Sequence, residues 1–269
     1  METTLVRPGP SIGPERIAKR DCGEMENTSL IALSRQSALR RQMDVIAHNL
    51  ANMNTTAFKG EKMQFVDELV RSRGGDRTRF ENLAFVRDLA TMRDTSEGPL
   101  KKTENPLDVA IRGDGYFVID TPDGERFSRN GNFQFDQTGQ LVTQAGYPVL
   151  SAGGQPFFFA PGDREITISR DGSVSTNAGP LGRLRVVRFD NDQTLRMTEG
   201  GLYVTDSPPQ AVDRPDVVQG MLEGSNIEPV REMTTMIEVQ RAYEGAKTLI
   251  DREHERIQRA IRDLSGRSN

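Results

Sequence analysis

Tryptophan is absent from this chain of 269 residues, cysteine occurs once and histidine twice. The lone Cys22 excludes an intramolecular disulfide and any zinc centre built on several thiolates. His48 and His254 leave little for imidazole catalysis, and no second His follows His254-Glu255 at the spacing of a metalloprotease helix. A basic excess is missing too. Lys and Arg number 35 against 39 Asp and Glu, a net charge of −4. That argues against a general binder of nucleic acid or of anionic membranes. No stretch approaches the ~20 apolar residues of a membrane helix, and the N-terminus lacks the apolar run of a secretory signal. Gly113-Asp-Gly115 has no third glycine and follows no βαβ pattern, and no Gly-x-Ser-x-Gly elbow occurs. The aspartates beside Gly115, Gly124 and Gly172 do not match calcium-loop spacing; hairpin turns account for them better. Composition therefore points away from an enzyme, with no cofactor, metal, nucleic acid or small-molecule substrate implied.

What is present divides by position. Residues 1–24 read as an unstructured extension, since Pro8, Pro10 and Pro14 interrupt a helix and Gly9, Gly13 and Gly23 add freedom. Met25 opens a different texture, so the extension is either a disordered tail or a mis-assigned start. Residues 25–56 form an N-terminal helical segment, with Asn27 or Thr28 able to cap it. Leu39, Met43, Ile46, Leu50 and Met53 step by 4, 3, 4 and 3, the seam of a coiled coil, and Ile31, Ala38 and Val45 repeat at sevens. Asn49, Asn52 and Asn54 crowd its end, where asparagine tolerates left-handed backbone. The C-terminal helix, 228–269, carries Met236, Tyr243, Ile250, Ile257 and Leu264 at sevens, a narrow Val239, Ala242, Ala246 and Leu249 stripe, and a first-turn Pro229.

Between the helices the period changes. Residues 107–212 read as a central β domain: Val109/Ile111, Phe117/Ile119, Phe133/Phe135 and Leu184/Val186 alternate with neighbours on the opposite face. Asp114-Gly115, Asp123-Gly124, Asn130-Gly131, Asp171-Gly172 and Asn177-Ala178-Gly179 punctuate them as hairpin turns. Residues 57–106 are a connector, balanced in charge, with pieces of β or short helix around Met63–Val70 and Leu83–Leu89. Arg71, Arg73, Arg77 and Arg79 read as a solvated loop in preference to a phosphate site. Residues 213–227 form an extended return segment. The fold class is α+β: N- and C-terminal helices pair as a coiled coil around a central antiparallel, all-β domain. Neither helix has a continuous apolar run, so each needs a partner surface. Two readings stay open on pattern alone: a polymer subunit whose helices bury their stripes on neighbouring copies, and a free-standing α+β binding module.

His48-Asn-Leu-Ala-Asn-Met-Asn-Thr-Thr-Ala-Phe-Lys59 resembles the N-terminal signature of flagellar basal-body rod and hook proteins. The likeness continues through Leu107-Asp-Val-Ala-Ile-Arg-Gly-Asp-Gly-Tyr-Phe117, Arg129-Asn-Gly-Asn-Phe133 and Gly139-Gln-Leu-Val-Thr143. It closes with Leu222-Glu-Gly-Ser-Asn226 and Met236-Ile-Glu-Val-Gln-Arg-Ala-Tyr-Glu244, in the family's order. Met25-Glu-Asn-Thr, Leu33-Ser-Arg-Gln36 and Asn226-Ile-Glu-Pro-Val230 favour the proximal-rod branch; a distal-rod or hook-type subunit is the alternative. The resemblance implies a structural, non-catalytic subunit of the rod spanning the periplasm. It also implies export by the flagellar type III apparatus without a cleaved signal, and helical assembly with itself and with other rod subunits, proximal and distal. On that footing Leu39, Met43, Ile46 and Leu50 pack with Met236, Tyr243, Ile250 and Ile257, while Asn49, Asn52, Asn54 and Phe58 shape the turn that leaves the first helix. Ala57 stands where the family has a glycine, so a left-handed turn there is strained.

Overall fold

The computed structural model describes residues 14–72, 81–163 and 165–266. Helix α1 runs Pro14–Ala51. It corrects the reading of residues 14–24 as unstructured: Pro14 takes the first-turn position, where its missing N–H costs nothing. Glu15-Arg-Ile-Ala-Lys-Arg20 then supplies good helix formers, and Gly23 costs only about 1 kcal/mol. Residues 1–13 lie outside the described residues, as do Arg73, Arg77 and Arg79.

The connector is more regular than expected. β1 (Glu61–Ser72) and β2 (Glu81–Arg93) pair as a two-stranded ribbon, and β3 (Leu100–Lys102) follows. Valine, phenylalanine and leucine occur among the charges of both long strands. The domain beyond contains β4 (Val109–Arg112), β5 (Tyr116–Thr121), β6 (Gly124–Ser128), β7 (Phe133–Phe135), β8 (Leu141–Thr143), β9 (Thr167–Ile168) and β10 (Ser173–Thr176). Then come β11 (Gly179–Arg183), β12 (Val186–Arg188), β13 (Arg196–Met197), β14 (Tyr203–Val204) and β15 (Gln210–Ala211). The return segment is itself structured: β16 (Asp216–Gln219) pairs antiparallel with β4, and β17 (Met221–Glu223) with β3. Helix α2 spans Pro229–Gly266.

Two compact units result. One holds the described parts of α1 up to Val45, of 63–90 and of the chain from Thr234 on. The two terminal helices are in contact there. The other comprises Ile46–Lys62 and Thr91–Met233. Its largest sheet has the order β13-β14-β6-β5-β12-β15. Strand β5 sits centrally and is buried on both faces. Phe117 and Ile119 enter a core with Ile111, Phe133, Leu141 and Leu184, whereas Tyr116 and Val118 enter a second core with Phe127, Phe189 and Tyr203. The alternation expected along β5 thus divides residues between two cores, not between core and water.

The glycine signals hide two causes. In the β5–β6 hairpin, Thr121 pairs with Gly124, so Pro122-Asp123 form the loop and Gly124, at φ 107°, opens the strand. Gly131 needs no unusual dihedral. A Cβ there would lie 1.7 Å from the Val109 carbonyl oxygen, so glycine is required for close approach.

Candidate functional site

The last turn of α1 and the segment leaving it belong to the β-rich unit. Asn49 is buried, and its amide acts like a piece of strand: Nδ2 donates to the Glu61 carbonyl at 2.8 Å and Oδ1 accepts from the Glu61 N–H at 3.0 Å. Asn52 closes the helix, with Nδ2 donating to the His48 carbonyl while Oδ1 accepts from Thr55 Oγ1. Asn54 is exposed. Phe58 is buried with its ring edge-on to His48, centroids 5.5 Å apart. Of the four residues expected to shape this turn, Asn49, Asn52 and Phe58 are thus built into one short stretch. Beside them Ala57 has φ 57° and its N–H donates to the Glu223 carbonyl at 2.8 Å. A side chain in that region costs roughly 1–2 kcal/mol.

Behind the turn lies a buried ion triad that sequence reasoning missed. Lys59 Nζ sits 2.6 Å from Glu223 Oε1, and Arg129 Nε lies 2.9 Å from Glu223 Oε2. All three side chains are 5% exposed or less. Lys59 also donates to the Ser96 carbonyl, Arg129 Nη1 donates to the carbonyls of Gly113 and Gly115, and the Gly98 N–H donates to Glu223 Oε1. Burial pulls the Lys59 ammonium's pKa below its ordinary value despite the opposing bond to Glu223. Burial pushes Glu223 upward, but the Arg129 charge and the Lys59 bond and charge outweigh it and hold the carboxyl below the usual glutamate range. These residues occur within the motif stretches quoted above, yet 164 residues separate Lys59 from Glu223, and no periodicity links them.

A second amide completes the junction. Asn226 Oδ1 accepts from the Gly60 N–H at 2.8 Å, and Nδ2 donates to the carbonyls of Asp94 and Ser96. Asp94 is lowered to about 2, chiefly by its hydrogen bond from Lys62, then by Ser96. A cleft of about 100 Å³, lined in part by Asn49, Lys62, Asp94 and Asn226, remains. There Asn49 and Asn226 hold backbone, and Lys62 pairs with the Asp94 carboxylate. Among the described residues no group of three or more His, Cys, Asp or Glu could hold a metal ion.

The helix residues singled out by spacing are turned inward to differing degrees. Ile46 and Val239 are buried; Leu39, Met43, Leu50, Met236, Tyr243, Ile250 and Ile257 are half-buried. Leu39, Met43 and the four α2 residues fall in the helical unit, whereas Ile46 and Leu50 fall in the β-rich one. On α2, Val230, Met233 and Ile237 are 79%, 49% and 51% exposed. At 100° per residue they form a ladder on the side of the helix away from Val239.

Within the β-rich unit, buried amides and an ion triad hold the chain that leaves α1, the build of a structural protein. Three family models match. Residues 30–59 match the flagella basal body rod protein family, 110–176 the flagellar hook protein FlgE/F/G D1 domain, and 218–263 the flagellar basal body rod FlgEFG protein C-terminal family. The flagellar basal-body rod protein FlgF of Caulobacter vibrioides is 39% identical over 246 residues, covering 89% of this chain and 98% of its own. FlgF of Mesorhizobium japonicum is 36% identical, covering 91% of this chain and all of its own. The rod protein FlgG of Buchnera aphidicola (Schizaphis graminum) is 35% identical over 75% of this chain. The chain belongs to the flagellar basal-body rod protein family. It is a non-catalytic rod subunit of the FlgF type.

Proposed function

We propose that this subunit sits in the proximal rod, the axial shaft that carries torque across the periplasm, and that it polymerises there through its terminal helices. The apolar ladder Val230, Met233 and Ile237 carries the reading: it leaves on α2 a water-facing surface that a neighbouring axial subunit would cover. Leu39, Met43, Ile46 and Leu50 with Met236, Tyr243, Ile250 and Ile257 form the inward seam, and the partners are further copies of this chain and other rod subunits. Head-to-tail contacts of this kind generate an open helix where the rotation does not close. Export proceeds through the flagellar type III apparatus. Among the described residues no helix is long and apolar enough to cross a membrane. Peptide mass spectrometry of detergent-purified hook–basal bodies is the test. Recovery of this chain with the other rod proteins supports the reading, and its absence from particles that contain them refutes it. The likeness to FlgG supports a distal-rod reading as the alternative; subunit counts per particle separate the two.

A further inference from the structure

The buried triad is charged unevenly. Lys59 and Arg129 bring two cations to one carboxylate. Around them stand the carbonyls of Ser96, Gly113 and Gly115 and, with its centroid 5.9 Å from the guanidinium carbon, the ring of Tyr116. Glu97 contributes a weaker attraction to Lys59 from the surface, and its carboxylate accepts the Gly113 N–H. A buried ionic group of this kind seldom adds net stability, because desolvation consumes the Coulombic gain, but removing one partner is costly. Such a group serves better to select one arrangement of the chain than to strengthen the fold.

The arrangement selected is visible at Glu223. Its side chain gathers Lys59, Gly98 and Arg129, and its main-chain carbonyl accepts the N–H of Ala57. One residue of β17 therefore grips the chain leaving α1 twice, on either side of Phe58. Ala57 is held in left-handed backbone, a conformation that alanine leaves readily when unrestrained. We infer that Lys59, Arg129 and Glu223 form a latch with Glu223 as its keystone, which holds the strained turn at Ala57 shut and so positions the last turn of α1, through Asn49 and Glu61, on the β-rich unit. All residues involved lie within that unit, and the inference does not depend on the place of the subunit in the rod.

The latch makes a local prediction that a general stabilising role does not. In the full-length monomer at neutral pH, Glu223→Gln keeps the side chain's shape and removes its charge. By hydrogen exchange, the amides of Ala57, Gly60, Glu61 and Gly98 should exchange at least about tenfold faster, while those of Val118 and Val217 keep their wild-type rates. Adding Ala57→Gly, which removes the strain without touching the charges, should restore most of the lost protection. Should Glu223→Gln fail to fold, Lys59→Met retains the Arg129–Glu223 pair. It should accelerate the same amides by a smaller factor and be rescued by Ala57→Gly in the same way. Acceleration spread evenly over β4, β5 and the turn, no acceleration at all, or no rescue by glycine overturns the inference.

Discussion

Glu223 shows how protonation enters the stability of this fold. Its folded pKa lies below the ordinary 4.5. The native state then holds fewer protons than the unfolded chain between those two values. Its contribution is complete above 4.5 and is lost as pH falls through the folded value. Asp94 follows lower, complete above 3.8 and lost as pH falls through about 2. Lys59 is depressed from 10.5 by burial, so its charged form detracts from stability in full below its folded value, and that penalty is relieved as pH rises from there to 10.5. As pH falls below 4.5 the melting temperature of the wild type should fall more steeply than that of Glu223→Gln. Parallel curves would show that this carboxylate is not the titrating group. At Gly131 the outcome is steric. Alanine there puts a methyl group into the Val109 carbonyl, in backbone that cannot swing aside, and should destabilise by about 3 kcal/mol or more in urea titration. Asn49 and Asn52 were legible as helix-end residues because asparagine at a helix terminus competes for backbone bonds. Lys59, Arg129 and Glu223 were not, since an ion pair across 164 residues has no local signature.

Among the elements, α2 follows the sevens of its apolar residues, but Leu249 of the expected small-residue stripe is exposed. Tyr243 and Ile250 keep the half-buried register that the sevens require, and Val239 lies at the centre of the buried side of α2. The start of α1 is hard to read in the sequence because proline breaks a helix interior, whereas Pro14 occupies the first turn. β1 and β2 were only half legible: charged residues interrupt their apolar alternation, and what holds such a ribbon is pairing along its length. Exposure on α2 separates two kinds of substitution. Ile46→Ala removes a buried side chain and should cost about 2–4 kcal/mol of monomer stability. Ile237→Asp, on the open side, should change the monomer's melting by less than about 0.5 kcal/mol yet abolish recovery of the subunit in basal bodies. Normal incorporation of Ile237→Asp would remove the ladder from the assembly surface.

For the whole molecule, cohesion is unequally distributed. The β-rich unit owns both buried cores, the triad and the amide junction. Among the described residues the helical unit buries Ala32, Ala38 and Val239, while Leu33, Leu249 and Ile261 are exposed. In dilute monomer, amides of α1 before Val45 and of α2 beyond Ile237 should exchange faster than those of β4 and β5. Comparable protection throughout would mean that the helices need no neighbour. Burial was legible for Phe117 and Ile119 of β5 and obscure for Tyr116 and Val118, whose core is built with residues brought from far along the chain.

That long-range closure governs when the molecule can exist as a folded body. β4 waits for β16, β3 waits for β17, and Lys59 waits for a carboxylate that follows 164 residues later. A chain made from its N-terminus has no means of sealing the β-rich unit until β17 has emerged, 164 residues after Lys59. Synthesis therefore keeps the growing subunit pliable by topology alone until that strand arrives.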